Sequence, residues 1–355
     1  MPETEAIRTV DHVVRVLIVD DSAYVRKVVR QMLARSPFIE VVGAAHDGDE
    51  ALEMVERLRP DVIVCDLIMP NMDGVSFIRE QMARRPVPVV VLSIANDSSE
   101  RALAALDAGA IDFVRKPTAL ATEKILEVTA ELVDKVKAAA SVPLRAIKPV
   151  AVATPPTPVS TPAGWKGTFD AVVIGISTGG PQALKVLVPS LPANCPVPIA
   201  IVMHMPAGYI DMYASKLNEM SPLAVKEAEE GDELRPGVVL LAPSGHHLSF
   251  RRDGERVLVH LDLRPVDTTH RPSVDVLFQS ASDTWAERVL AVVMTGMGCD
   301  GRDGAAWVKA KGGRVLTEAE QSCVIYGMPR CVVEAGLSDQ SVALGDLAST
   351  IVESL

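Results

Sequence analysis

The sequence predicts an α/β protein made of two doubly wound, mainly parallel domains, and three observations predict it. Short apolar runs alternate with segments of helical period from Val13 to about Lys137, and the same alternation resumes at Thr168. Polar residues able to do chemistry, among them Asp20, Asp66, Ser177 and His204, stand where those apolar runs end. Between the two stretches, residues 138–167 are rich in Pro, Ala, Thr and Val and hold no period. Proline removes backbone donors and favours extended chain, so this stretch reads as a semi-rigid linker between a domain over 13–137 and a domain over 168–355.

The totals exclude several classes. A chain of 355 residues, 48% of them apolar, is long enough for two cores. A formal net charge of -11 argues against wholesale binding to nucleic acid or an acidic membrane, which call for clustered Lys and Arg. Cys65, Cys195, Cys299, Cys323 and Cys331 are odd in number, scattered and free of any C-x-x-C pair, so neither a disulfide framework nor a zinc site is expected and a reduced compartment follows. There is no basic segment followed by an apolar core at the start, and no apolar run nears the roughly 20 residues a bilayer requires. The expectation is a cytoplasmic protein with no direct membrane insertion.

In the first domain, Val16-Leu17-Ile18-Val19 forms a strand ending in Asp20-Asp21. Ser22 then caps a helix with an apolar face of Val25, Val28, Val29, Met32 and Leu33. Val62-Ile63-Val64-Cys65 ends in Asp66, Val89-Val90-Val91-Leu92 ends in Ser93, and Ile111-Asp112-Phe113-Val114 leads to Lys116-Pro117. Ligands of open α/β sheets sit beyond the carboxyl ends of the strands, so Asp20, Asp21, Asp66, Ser93 and Lys116 converge on one crevice. Three carboxylates placed together repel one another unless a hard cation neutralises them, and Mg²⁺ suits an all-oxygen set. Asp66 then accepts a phosphoryl group whose oxygens Lys116 and Ser93 hold.

In the second domain, Ala171-Val172-Val173-Ile174 runs into Gly175-Ile176-Ser177-Thr178-Gly179-Gly180-Pro181, followed by a helical pattern of Leu184, Leu187, Val188 and Leu191. A glycine-flanked serine at a sharp strand-to-helix turn presents its hydroxyl at a sheet edge, although a phosphate-cradling turn or a plain connection has the same pattern. Two further runs settle the weighting: Val197 to Met203 ends in His204, and Val289 to Met294 ends in Thr295-Gly296-Met297-Gly298-Cys299-Asp300-Gly301. A serine hydroxyl needs an imidazole to take its proton, and the imidazole needs a carboxylate to fix its tautomer. Ser177, His204 and Asp300 fill those roles, the Met297 amide is assigned to an oxyanion hole, and Thr178 supports the His204 hydrogen bond. The order Ser, His, Asp disfavours a standard lipase or esterase. His246-His247 opens a hairpin around Asp253-Gly254 and reads as strand-edge histidine rather than metal ligand. Cys299 reads as a small filler, and Arg271 as a contact either for an acidic substrate surface or for a carboxylate within the fold.

The acid pair, the stretch from Asp66 through Met69-Pro70 to Met72-Asp73-Gly74, and Lys116-Pro117 together resemble a response-regulator receiver domain, which implies a flavodoxin-like five-stranded parallel sheet. The resemblance also implies phosphorylation of Asp66 by a chemotaxis histidine kinase, switch positions at Ser93 and Phe113, and a Mg²⁺ ligand in the Ile68 backbone carbonyl. The motifs G-I-S-T-G-G-P, M-H-M-P, H-R-P-S-V-D-V-L-F, T-G-M-G-C-D-G and Y-G-M-P-R resemble the catalytic domain of the chemotaxis protein-glutamate methylesterase (CheB) family. This implies hydrolysis of γ-glutamyl methyl esters on chemoreceptor cytoplasmic helices, deamidation of receptor glutamines, no cofactor for the ester reaction, and an unphosphorylated receiver that restricts access to the site. The alternatives are a non-catalytic receptor-binding signalling adaptor, disfavoured because all three catalytic positions carry competent residues, and a methylesterase of a non-chemotaxis receptor-like pathway.

Overall fold

The computed structural model describes residues 13–93, 99–117, 122–143, 157–160 and 164–355, and the chain divides into two units, Met1–Ala151 and Val152–Leu355. Much of the Pro-rich stretch, residues 144–156 and 161–163, lies outside the described residues.

The first unit alternates strand and helix throughout: β1 (Val14–Val19), α1 (Ala23–Leu33), β2 (Ile39–Ala45), α2 (Gly48–Leu58), β3 (Val62–Asp66), α3 (Gly74–Arg84), β4 (Val89–Ser93), α4 (Ser99–Asp107), β5 (Asp112–Arg115) and α5 (Thr122–Ala140). The five strands are parallel in the order β2-β1-β3-β4-β5. Ser22 caps α1 by accepting the Val25 N–H, and the residues read as its apolar face are buried or half-buried against the sheet with Leu132 and Val136 of α5. Helix α5 continues to Ala140. The strand β2 did not announce itself in sequence, since Gly43, Ala44 and Ala45 dilute its apolar run.

The second unit runs β6 (Ala171–Ile176), α6 (Gly180–Ser190), β7 (Ile199–Met203), α7 (Ile210–Met220), β8 (Ala224–Glu227), β9 (Val238–Leu241), β10 (His247–Asp253), β11 (Arg256–Asp262), α8 (Val274–Trp285), β12 (Val289–Val293), α9 (Arg302–Ala310), β13 (Arg314–Glu318), α10 (Met328–Glu334), β14 (Gln340–Val342) and α11 (Leu344–Ser354). Seven strands form one wholly parallel sheet in the order β14-β13-β12-β6-β7-β9-β8, and β10 and β11 form a separate antiparallel hairpin. Strands β6 and β12 are neighbours although the chain turns from β6 first toward β7, so the topological switch point lies at β6. One face of the sheet packs on α8, α9 and α10 through Leu277, Phe278, Ala281, Ala305, Val308 and Val332, all fully buried with Leu248 and Val259 of the hairpin. Helices α6, α7 and α11 pack together in the same unit. Backbone bonds from Val159 to Ser190 and from Gly167 to Leu355 fasten the segment ahead of β6 to this unit.

Candidate active site

The carboxyl ends of β12, β6 and β7 lie side by side and carry Asp300, Ser177 and His204. The edge is tied together by main-chain bonds: the Ser177 N–H donates to the Thr295 carbonyl at 3.0 Å, and the His204 N–H donates to the Ile176 carbonyl at 3.1 Å. Gly180 N–H closes the turn on the Ser177 carbonyl at 2.7 Å, and Gly179 adopts φ +82°, the left-handed conformation that a residue with Cβ resists. Gly175 is required for another reason: a Cβ there would lie 2.2 Å from a methyl of Val274 on α8. Gly296 is also crowded, since its Cβ would stand 2.7 Å from Ser177 Cβ and 2.4 Å from Met328 Sδ.

His204 Nε2 stands 2.8 Å from Asp300 Oδ2. Asp300 is otherwise clamped by the start of α8, accepting the Val274 N–H at 2.8 Å, the Asp275 N–H at 3.0 Å and the Ser273 hydroxyl at 2.9 Å. Burial alone would raise this carboxyl, but the His204 contact and the α8 donors outweigh it and hold Asp300 well below the usual carboxylate range. An ionised Asp300 fixes the proton on Nε2 and leaves Nδ1 as the basic nitrogen; Nδ1 is buried and makes no hydrogen bond. Nδ1 therefore makes no bond to the Ser177 hydroxyl here. Ser177 and Met297 are half-buried on the rim. Thr178 is buried, and its carbonyl accepts the Thr295 hydroxyl at 3.0 Å.

Several contributors were not singled out in sequence, or, like His247 and Arg271, were read there in another role. His270 stacks on His204 with ring centroids 4.0 Å apart and planes 20° apart, confining the imidazole; only its place at the head of H-R-P-S-V-D-V-L-F signalled it. His247, at the start of β10, donates Nε2–H to the Pro265 carbonyl and accepts the Ser273 N–H at Nδ1, so it holds the residue that holds Asp300. Burial lowers its pKa, which keeps it neutral in this role. Asp275 accepts the Gly301 and Gly304 N–H groups; burial and the nearby Asp300 charge, against the Gly304 bond, push its carboxyl up to about 6. Behind Ser177, the fully buried Glu318 accepts the Thr295 N–H, and burial raises its pKa. Arg271 meets no carboxylate among the described residues: its guanidinium reaches the Val266 carbonyl at 3.4 Å, and its Nε is buried without a hydrogen-bond partner.

The cysteine expectation is corrected. Cys299 is not an unpaired filler but is joined to Cys331 on α10 by a disulfide, the two Cα atoms 5.4 Å apart. No spacing rule could find a pair 32 residues apart that only the packing of α10 against the β12 loop brings together. Cys65, Cys195 and Cys323 are free and buried.

In the first unit the predicted residues gather at the carboxyl edge of β1, β3, β4 and β5. Carboxylate oxygens of Asp20, Asp21 and Asp66 all lie within 4.8 Å of one another. Lys116 Nζ stands 2.9 Å from Asp20 and 2.8 Å from Asp66. Burial raises both of those carboxyls, and the Lys116 hydrogen bond and charge oppose it. Asp20 Oδ2 and Asp66 Oδ2 are buried with no hydrogen bond beyond that ion pair, so this all-oxygen acidic set fits a hard divalent cation such as Mg²⁺. Ser93 and Phe113 are buried at the ends of β4 and on β5, and the Ile68 side chain is exposed just after β3.

Comparison with known proteins agrees with both halves. The family model for the CheB methylesterase matches residues 172–351, and that for the response regulator receiver domain matches residues 16–129. A protein-glutamate methylesterase/protein-glutamine glutaminase of Myxococcus xanthus is 50% identical over 337 residues, 95% of this chain and 96% of the relative. One from Halalkalibacterium halodurans is 41% identical over 342 residues, 96% of this chain and 97% of that one. The crystal structure of the Thermotoga maritima CheB methylesterase catalytic domain, 40% identical, aligns with a TM-score of 0.52 over 53% of this chain and 99% of that domain. With the serine turn, the clamped carboxylate and both family matches in agreement, the chain belongs to the CheB methylesterase family, with a response-regulator receiver domain ahead of its catalytic domain.

Proposed function

We propose that the protein hydrolyses γ-glutamyl methyl esters on the cytoplasmic helices of chemoreceptors, and deamidates receptor glutamines at the same site, in chemotactic adaptation. The observation that carries this reading is the His204–Asp300 contact locked by the α8 N-terminus beside the Ser177 turn. Ser177 Oγ attacks the acyl carbon while His204 Nδ1 takes its proton, and the imidazolium is stabilised by Asp300 across Nε2. The Met297 N–H donates to the oxyanion as it forms, and Thr178 supports the imidazole. His204 returns the proton to the leaving methoxide, giving methanol, or to the departing amide nitrogen of a glutamine, giving ammonia. Water deprotonated by the same nitrogen then frees the glutamate.

The receiver would set this activity by phosphorylation of Asp66 from a chemotaxis histidine kinase. Asp20, Asp21, Asp66 and the Ile68 carbonyl would hold Mg²⁺, which neutralises charge on the incoming phosphoryl group. Lys116 and Ser93 hold phosphoryl oxygens, and Ser93 and Phe113 transmit the change. The reading places the protein in the cytoplasm; among the described residues no helix is long and apolar enough to cross a membrane.

Methanol release from methyl-labelled receptor membranes tests it. Wild type releases methanol and does so faster with a small phosphodonor and Mg²⁺, whereas Ser177→Ala loses at least about a thousandfold of the rate. A folded Ser177→Ala protein that still releases methanol at the wild-type rate overturns the mechanism, and a wild type inert under both conditions favours an adaptor.

A further inference from the structure

The Cys299–Cys331 bond differs from the other cysteines in accessibility and in position. Cys299 is exposed and Cys331 half-exposed, while Cys65, Cys195 and Cys323 are buried with thiols that burial pushes up and keeps inert. Any thiol chemistry with solutes therefore falls on this pair. Cys299 is the residue immediately before Asp300 and two after Met297.

The loop it lies on is held to α10 at two points. The N–H groups of Gly327 and Met328 donate to the Gly296 carbonyl at 3.1 and 2.9 Å, and the disulfide fastens residue 299. Met297 and Gly298 span the interval between these anchors. Asp300 is anchored separately, by Ser273, Val274 and Asp275. Opening the disulfide frees one end of the Met297 segment from α10, although the Cys299 carbonyl keeps the Arg302 N–H at 3.1 Å, and leaves the carboxylate clamp intact. The effect then falls on a backbone donor that acts in the transition state rather than on substrate binding.

We propose that Cys299 and Cys331 form a reversible dithiol–disulfide site, served by low-molecular-weight disulfides and thiols, that sets the turnover of the neighbouring ester-hydrolysing centre. Its effect on turnover rests on the methylesterase reading above. In the oxidising direction the Cys299 thiolate attacks one sulfur of a disulfide RSSR, forming Cys299–SR and expelling RS⁻. The Cys331 thiolate then attacks the Cys299 sulfur, forming the protein disulfide and expelling the second RS⁻. Two protein thiols lose two electrons and two protons, and RSSR is reduced to two RSH. An exposed disulfide in a reducing compartment is the labile kind, so both forms are accessible.

The test uses the full-length protein poised across ratios of oxidised to reduced glutathione. Peptide mapping after alkylation is expected to find the 299–331 crosslink at oxidising poise and both thiols alkylated at reducing poise. Across the same range kcat falls by about threefold or more on reduction while KM stays within about twofold, and amide hydrogen exchange at Met297 and Gly298 speeds up. Cys299→Ser and Cys331→Ser hold the reduced-form rate at every poise. The proposal is overturned if no poise yields the crosslink, if kcat and exchange stay constant while the crosslink comes and goes, or if either variant keeps the dependence. Mapping and exchange need no substrate, so their failure is distinct from failure of the methylesterase reading, which Ser177→Ala decides.

Discussion

At Gly296 a single missing methyl group decides whether Ser177, the proposed nucleophile, can stand where it does. An alanine Cβ would meet Ser177 Cβ at 2.7 Å and Met328 Sδ at 2.4 Å; the methionine tail can swing aside, but the serine is fixed by its own N–H on Thr295. Gly296→Ala is therefore expected to lower kcat by about a hundredfold, with KM little changed, since a displacement near 1 Å at the reacting group has that effect. A variant with wild-type kcat would show that the turn yields freely. Residues of this kind divide by legibility. Ser177, His204 and Asp300 could be placed on one rim from sequence because each follows an apolar run and parallel strands end together. His270, Ser273 and His247 could not, because a stacked ring or a hydrogen bond between β10 and α8 has no periodic trace in the chain.

The start of α8 shows what a whole element contributes. Its first N–H groups, left without partners inside the helix, converge on Asp300, and Asp275, the second residue of the helix, ties the end of the β12–α9 loop and the first turn of α9 through Gly301 and Gly304. The two acids have opposite linkage. Asp300, depressed in the fold, contributes stability above its unfolded value of about 4 that is lost only as pH falls into strong acid. Asp275, raised to about 6, contributes stability that is whole below about pH 4 and is lost as pH rises through 6. An amide keeps the acceptor for both glycines, so Asp275→Asn should unfold at a temperature that barely changes between pH 5 and 8, while wild type loses several degrees. Tryptophan fluorescence reads this half alone, because Trp165, Trp285 and Trp307 all lie in it; parallel pH profiles for the two proteins would refute the assignment. The use of α8 as a clamp was not foreseeable, since that depends on where β12 delivers Asp300.

For the whole molecule, the alternation of strand and helix and the polar strand ends made two parallel α/β sheets legible. The hairpin was legible too, from alternating residues on either side of Asp253-Gly254; strand order and the Cys299–Cys331 pairing depend on contacts across the chain and were not. The second unit has a seven-stranded sheet and a core of its own, so residues 168–355 should fold alone. If the receiver restrains the catalytic half, that fragment should release methanol severalfold faster than the unphosphorylated full chain, and the phosphodonor should narrow the gap; a fragment no faster than the full chain removes the restraint. The position of β6 at the centre of the seven-stranded sheet has a consequence for how the molecule is made. The Arg288–Asp170 pair beside the β6–β12 junction joins residues 118 apart, and Asp300 follows His204 by 96. Such non-local parallel pairing is slow and must await synthesis of the later segment. A ribosome-bound or prematurely ended chain thus displays Ser177 and His204 without Asp300, so on the proposed mechanism hydrolytic competence arrives only after β12 has closed the sheet, and the nascent chain is inert while it folds.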